Sequence, residues 1–202
     1  MRLRILRTAA VLGAVSAALV GGLAAPAAAQ TSSATPLAGG TTTVTTGPGI
    51  AKTLLRNGIL PIATPPGRQS FGYGRGGLTV SFSFPVTGGA VDLGTLAGTI
   101  EHRGGIVFVN VRNGKRLKVS NFVIDTATGV LTGRVNDTAT RVPVFDLDLS
   151  AATVDAHGRR VKVGNIDVRL TAAAAGALNQ ALGTSVFGGG LDLGTARTSL
   201  RV

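Results

Sequence analysis

Few residues in this chain have the chemistry of catalysis or ligation, and they are dispersed. The stretch LAGTIEHRGGIVFVN carries Glu101, the one glutamate, beside His102, one of two histidines. A carboxylate and an imidazole form an acid–base couple only if their side chains meet. Adjacent residues of an extended segment point to opposite faces, so these two cannot serve one site, although either could act alone. The pair is expected at the exposed end of a hairpin, beside Arg103. His157, in DAHGRR, reads as a turn residue. Asp146 and Asp148 share one strand face at about 7 Å, a spacing open to sugar hydrolysis but more usual for a solvated face or a weak calcium site. No Gly-X-Ser-X-Gly elbow occurs, and Gly183-Thr184-Ser185 does not substitute for one. With no Trp and a single Tyr, Tyr73, a carbohydrate-stacking platform is hard to build. These residues point away from an enzyme, and no metal site is expected.

Two near-identical stretches, GGAVDLGT at 88–95 and GGGLDLGT at 188–195, raise a different chemistry. A phosphate-cradling loop needs a following helix, a lysine and a particular glycine spacing, which neither copy has. They are expected to be two equivalent strand entrances, with glycines supplying positive φ and Asp or Thr satisfying turn amides.

The elements that position these residues are mostly strands. Leu78, Val80, Phe82 and Phe84 alternate with Thr79, Ser81 and Ser83, the pattern of a half-buried antiparallel strand. Similar runs follow at 96–102, 104–113, 115–125, 129–137, 141–150 and 160–170, with TTTVTT before them and LDLGTARTSLRV after them. Asn113-Gly114 is the clearest hairpin signal. Val80, Phe82, Phe84, Ile100, Phe108, Phe122, Leu131, Val144 and Leu147 are the expected core. Val144 and Leu147 differ in parity, which requires a bulge or removes one of them. Two short helices are expected, at about 48–57 from the spacing of Ile50, Leu54 and Leu55, and at 171–183 from a Thr N-cap, an Ala-rich body and a terminal Gly. The fold class is mainly β, a two-sheet antiparallel sandwich or barrel-like domain. The segment 63–77, ATPPGRQSFGYGRGG, is expected to be turns.

Arg2, Arg4 and Arg7, the uncharged run from Thr8 to Ala25 and the Ala27-Ala28-Ala29 site predict a secretory signal peptide over 1–29. Residues 30–40 read as a flexible spacer and 41–202 as one domain. The 202-residue chain has no Cys, which excludes a disulfide framework and thiolate chemistry. All nine acids lie beyond residue 29, so loss of three signal arginines takes the net charge from +11 to +8. The basic residues are scattered rather than interleaved with aromatics, so nucleic acid is not the expected partner, whereas acidic wall polymers are open.

The succession from FSFPVTGGAVDLG through HRGGIVFVNVRNGKRLKVSNFVID to LTGRV, then RVPVFDLDLS and VGNIDVRLTAAAAGALNQAL, resembles the HtaA-type domain of secreted and cell-surface proteins of high-GC Gram-positive bacteria. Gly98, Ile100, His102, Gly104-Gly105 and Leu131-Thr132 occupy the family's motif places. The resemblance implies a two-sheet β fold with two short helices. In the family's best-known members it implies haem binding, with a Tyr near the first helix ligating iron and the His supporting it. His102 matches that His. The helix GIAKTLLRNG has no Tyr, and the one Tyr, Tyr73, falls later in a glycine-rich stretch.

The expected function is a secreted, non-catalytic binding or surface-interaction module of HtaA type, in the envelope or the medium and without a resident cofactor. One alternative is a haem-binding protein using Tyr73 and His102, with Phe108 beside the ligand. Another is a structural protein held non-covalently on anionic wall polymers.

Overall fold

The computed structural model describes residues 34–202, and the expected signal peptide lies outside the described residues. In chain order the elements are β1 Ala34–Pro36, β2 Gly39–Thr46, α1 Ile50–Arg56, β3 Ile59–Thr64, β4 Arg68–Gly74, β5 Gly77–Asp92, β6 Gly98–His102 and β7 Gly105–Asn110. They continue with β8 Arg116–Asp125, β9 Val130–Val135, β10 Arg141–Asp148, β11 Thr153–His157, β12 Arg160–Leu170, α2 Ala172–Leu182 and β13 Asp192–Arg201.

Instead of two sheets there is one, and it closes on itself. Eight antiparallel strands form the ring β5-β2-β13-β12-β10-β9-β8-β6, with β6 pairing back onto β5. Closure removes the open edges that a half-buried sheet otherwise exposes. The remaining strands hang on the ring: β4 and β1 on β5, β11 on β12, and β7 with β3 beyond β8. The 16-residue β5 serves both ends of the barrel, pairing with β4 along its first half and with β6 and β1 along its second.

All nine expected core residues are buried. The parity conflict between Val144 and Leu147 is resolved by a register shift between Pro143 and Phe145, which leaves Val144, Phe145 and Leu147 all buried. Four further shifts were not anticipated, and two of them fall at left-handed asparagines. Asn121 (φ 51) and Asn165 (φ 61) sit in the left-handed region within β8 and β12. The inward residues change from Leu117 and Val119 to Phe122 and Ile124 across the first, and from Val161 to Ile166 and Val168 across the second. Asparagine tolerates that conformation better than most side chains, so each bulge has a local cause.

Both helices form as expected. Thr171 caps α2 by accepting from the Ala174 amide at 3.1 Å, and Gly183 ends it at φ 60. The expected spacer is partly folded, since β1 pairs with the end of β5 and Leu37 is buried. The expected turn segment contains β4, a hairpin partner of β5. ILPIAT forms β3 at the outer edge of the sheet, where Pro61 removes no essential bond.

The repeated octapeptides are not equivalent entrances. The first ends β5 and turns through Leu93–Thr95, whereas the second begins β13. The role assigned to Asp holds in both: Asp92 Oδ1 accepts from the Gly94 and Thr95 amides at 2.8 and 2.9 Å, and Asp192 Oδ1 from the Gly194 amide at 2.9 Å. A Cβ on Gly194 would lie 2.1 Å from the Thr45 carbonyl across the ladder, so that glycine is required by close approach.

Candidate functional site

His102 ends β6, the strand that closes the barrel, and its alternation with Glu101 turns it inward. It is 4% exposed, so the expected exposed hairpin end is corrected: only Glu101 faces solvent. The burial is tolerable because both ring nitrogens are paired. Nδ1 faces the Phe122 carbonyl at 3.3 Å and Nε2 faces the Thr42 hydroxyl at 2.7 Å. A carbonyl can only accept, so Nδ1 carries the proton and Nε2 accepts from Thr42. Thr42 Oγ1 in turn accepts from Thr198 Oγ1 at 3.0 Å. Desolvation lowers the His102 pKa from 6.5 to about 4, against the raising effect of the Phe122 carbonyl, and keeps the ring neutral.

This chain of hydrogen bonds crosses the barrel interior between two cavities. One, about 70 Å³, lies under α1 and is lined by His102, Thr42, Leu54, Phe82, Phe84 and Phe108 among others. Phe84 and Phe122 meet edge to face there, with centroids 5.0 Å apart at 68°. The other, about 240 Å³, has Thr198 in its wall, with Ile100, Leu147, Val163 and Leu200. A third space, an apolar groove of about 210 Å³, lies among α1, β3, β4 and β5 and shares Thr46, Leu54 and Pro61 with the first. Its rim includes Leu55, Ile62 and Phe71, which are 46%, 45% and 67% exposed.

The three residues expected at a ligand are brought together only in part. His102 and Phe108 line the same cavity. Tyr73 does not join them. It is 87% exposed on β4, opposite Leu78 and on the same face as Gln69 and Phe71, beyond the groove. Thr42 and Thr198 were missed at the sequence level. The inward parity of Thr42 with Val44 was available as a signal, but nothing local distinguishes a threonine that meets His102 from one that faces water.

Haem fits poorly into this arrangement. A cavity of about 70 Å³ is far below the several hundred Å³ that even a drug-sized ligand occupies. Both His102 nitrogens are committed within the protein, and no Tyr lines the cavity.

The remaining candidates lie on the surface. Asp148 accepts from the Ser150 amide at 3.0 Å, and the Ser150 hydroxyl together with that amide holds its carboxyl below the usual range; Arg169 stands 3.9 Å away. Asp146 is exposed opposite Arg169, so the aspartate pair is a solvated face. His157 ends β11 and pairs with Asp155 at 2.8 Å. Among the described residues no three His, Cys, Asp or Glu side chains gather as a metal site.

An eight-stranded antiparallel barrel, apolar within and carrying extra strands and two helices outside the ring, defines a small closed β-barrel domain. The chain belongs to the HtaA family, whose model matches residues 34–183. It is similar in fold to the crystal structure of the C-terminal domain of HtaA from Corynebacterium glutamicum, at a TM-score of 0.50 and 17% identity over 81% of this chain and 98% of that one. A histidine-to-alanine variant of that domain, a domain-swapped dimer, aligns at a TM-score of 0.49 and 18% identity over 75% of this chain and 90% of that one. No curated protein matches the sequence.

Proposed function

We propose that the chain is an exported, non-catalytic binding module that lays a flat apolar ligand along the groove between α1 and β3–β5. The observation that carries this reading is the grouping of Leu55, Ile62 and Phe71, three large and substantially exposed apolar side chains, on one groove. Grouped apolar exposure on a small domain marks a binding surface, whereas single exposed residues do not. The neighbouring cavity under α1 supports it, because Leu54 separates the two spaces and gives the ligand a depth to reach if the helix shifts.

Haem is the second reading, through Tyr73 alone. The phenol projects from the groove face of β4, one alternation beyond Phe71. Protoporphyrin IX, flat and free of iron, tests the first reading by fluorescence titration. Phe71→Ser and Leu55→Ser weaken its binding about tenfold, the loss expected when an apolar contact is replaced by a hydroxyl. No binding, or binding indifferent to Phe71→Ser, refutes the groove.

A further inference from the structure

The outward positions of the barrel wall opposite this apolar chemistry are hydroxyl and cationic. Thr41, Thr43 and Thr45 project from β2, Ser81 and Ser83 from β5, and Thr195 and Ser199 from β13. Thr43 and Ser83 hydroxyls bond across the ladder at 2.9 Å, and those of Thr45 and Ser81 at 2.8 Å. The register interleaves cations with them. Arg68 stands opposite Ser83, Arg197 opposite Thr43, Lys162 opposite Ser199, and Arg160 directly opposite Arg201.

All five cations are exposed, and among the described residues none forms an ion pair. The nearest acid in the register is Asp155, opposite Lys162, and its carboxylate is engaged by His157. Two arginines facing each other across a ladder repel, a cost that a bound anion removes.

The wall is also shaped. A trough of about 910 Å³ runs over β2, β13, β12 and β11, with Thr41, Thr43, Arg197 and Lys162 among its lining and Asp155, paired with His157, its one carboxylate. It adjoins a smaller pocket of about 240 Å³ formed by Gly40, Thr41, Arg160, Lys162, Ser199 and Arg201, and the two share Thr41, Lys162 and Ser199. Three cations around two hydroxyls, with no carboxylate, is a recognition set for phosphate. A longer trough that continues with hydroxyls and a further arginine suits a chain that alternates phosphates with hydroxyl-bearing units.

We infer that this face binds a linear phosphodiester polymer of polyol units, with one phosphate seated between Arg160, Lys162 and Arg201 and the chain running past Thr43 and Arg197. The surface is separate from the apolar groove and gives the module a second partner. Nucleic acid shares the phosphodiester but needs aromatic platforms for its bases, and Phe71 and Tyr73 project from the other face of β4.

The test is isothermal titration of the purified protein with short poly(glycerol phosphate) oligomers at two salt concentrations. A triple variant, R160S/K162S/R201S, is compared with K115S/R116S/R134S, which removes the same charge from exposed positions elsewhere. Binding weakened about tenfold in the first and little changed in the second, with matching thermal midpoints, is the expected result. Equal losses in both triples reduce the effect to net charge and overturn the site. Tighter binding of a single-stranded oligonucleotide of equal charge assigns the face to nucleic acid and overturns the proposal, as does an absence of binding. If the first triple proves unstable, R201E alone must give the loss. Protoporphyrin binding unchanged in all of these variants keeps the two surfaces distinct.

Discussion

His102 Nε2 and Thr42 Oγ1 stand 2.7 Å apart inside the barrel, and that contact joins β6, the strand that closes the ring, to β2 across the β5 strand between them. Because Nδ1 is held by the Phe122 carbonyl, the contact can form in this sense only while the imidazole is neutral. A proton on Nε2 would place a buried charge against apolar walls and reverse the direction of the Thr42–Thr198 bond.

Stability should therefore depend on pH through this residue. The folded pKa, about 4, lies below the unfolded value of 6.5, so between these values the unfolded chain binds the extra proton. The contribution is fully present above pH 6.5, declines as pH falls and is lost below about 4. Over that window it amounts to about 3 kcal/mol. Urea unfolding at stepped pH, with His102→Gln as comparison, reads the effect. An identical slope in the two proteins would show that His102 is not the titrating group.

Truncations on either side of the β10 bulge should both be costly. Leu147→Ala is expected to destabilise by about 2–4 kcal/mol, and Val144→Ala by somewhat less, because both side chains are buried. A surface-like effect in either variant, read by chemical denaturation, would place that residue outside the core and remove the bulge.

The two left-handed asparagines should discriminate between replacements. Asn121→Gly and Asn165→Gly are expected to be nearly neutral, whereas valine at either position costs on the order of 1–3 kcal/mol through backbone strain. Thermal melting of the four variants separates the cases, and a tolerated valine would contradict the bulge geometry.

Haemin is expected to bind weakly, because His102 is committed and Tyr73 stands alone. The measurement is the absorption spectrum during titration, with Tyr73→Phe and His102→Ala alongside. A sharp one-to-one transition abolished by Tyr73→Phe would move haem from second reading to first.

Export is checked at the other end of the chain. Mass spectrometry of culture supernatant should find an N-terminus near Gln30, as Arg2, Arg4, Arg7 and the Ala27–Ala29 site predict. Full-length chain retained in the membrane fraction would contradict it.

What the sequence disclosed follows from the range over which each cause acts. Alternation and turn residues are local, so the strands around Phe82, Ile100 and Phe108 and the Thr171 cap were readable. The Val144–Leu147 parity conflict even located a bulge. Asn121 and Asn165 hid theirs, because a run with one slipped residue still resembles a strand. Closure into one ring was not readable, since it depends on β6 meeting both β5 and β8, far apart in sequence. The site suffered most. His102 meets Thr42, 60 residues away, and through it Thr198, 96 residues away, and Tyr73 was assigned a reach that its strand pairing denies.

The pairing of β2 with β13 has a consequence in time. Residues 39–46 leave the ribosome long before their partner, which spans 194–201. Until residues 194–201 exist, β2 has no mate on that side and the ring cannot shut, so the nascent barrel remains unlatched until β13 is made. A domain in which β2 must wait for β13 is thus held back from folding by its own topology. For the exported chain proposed above, which would cross a narrow channel before folding, that delay is an asset.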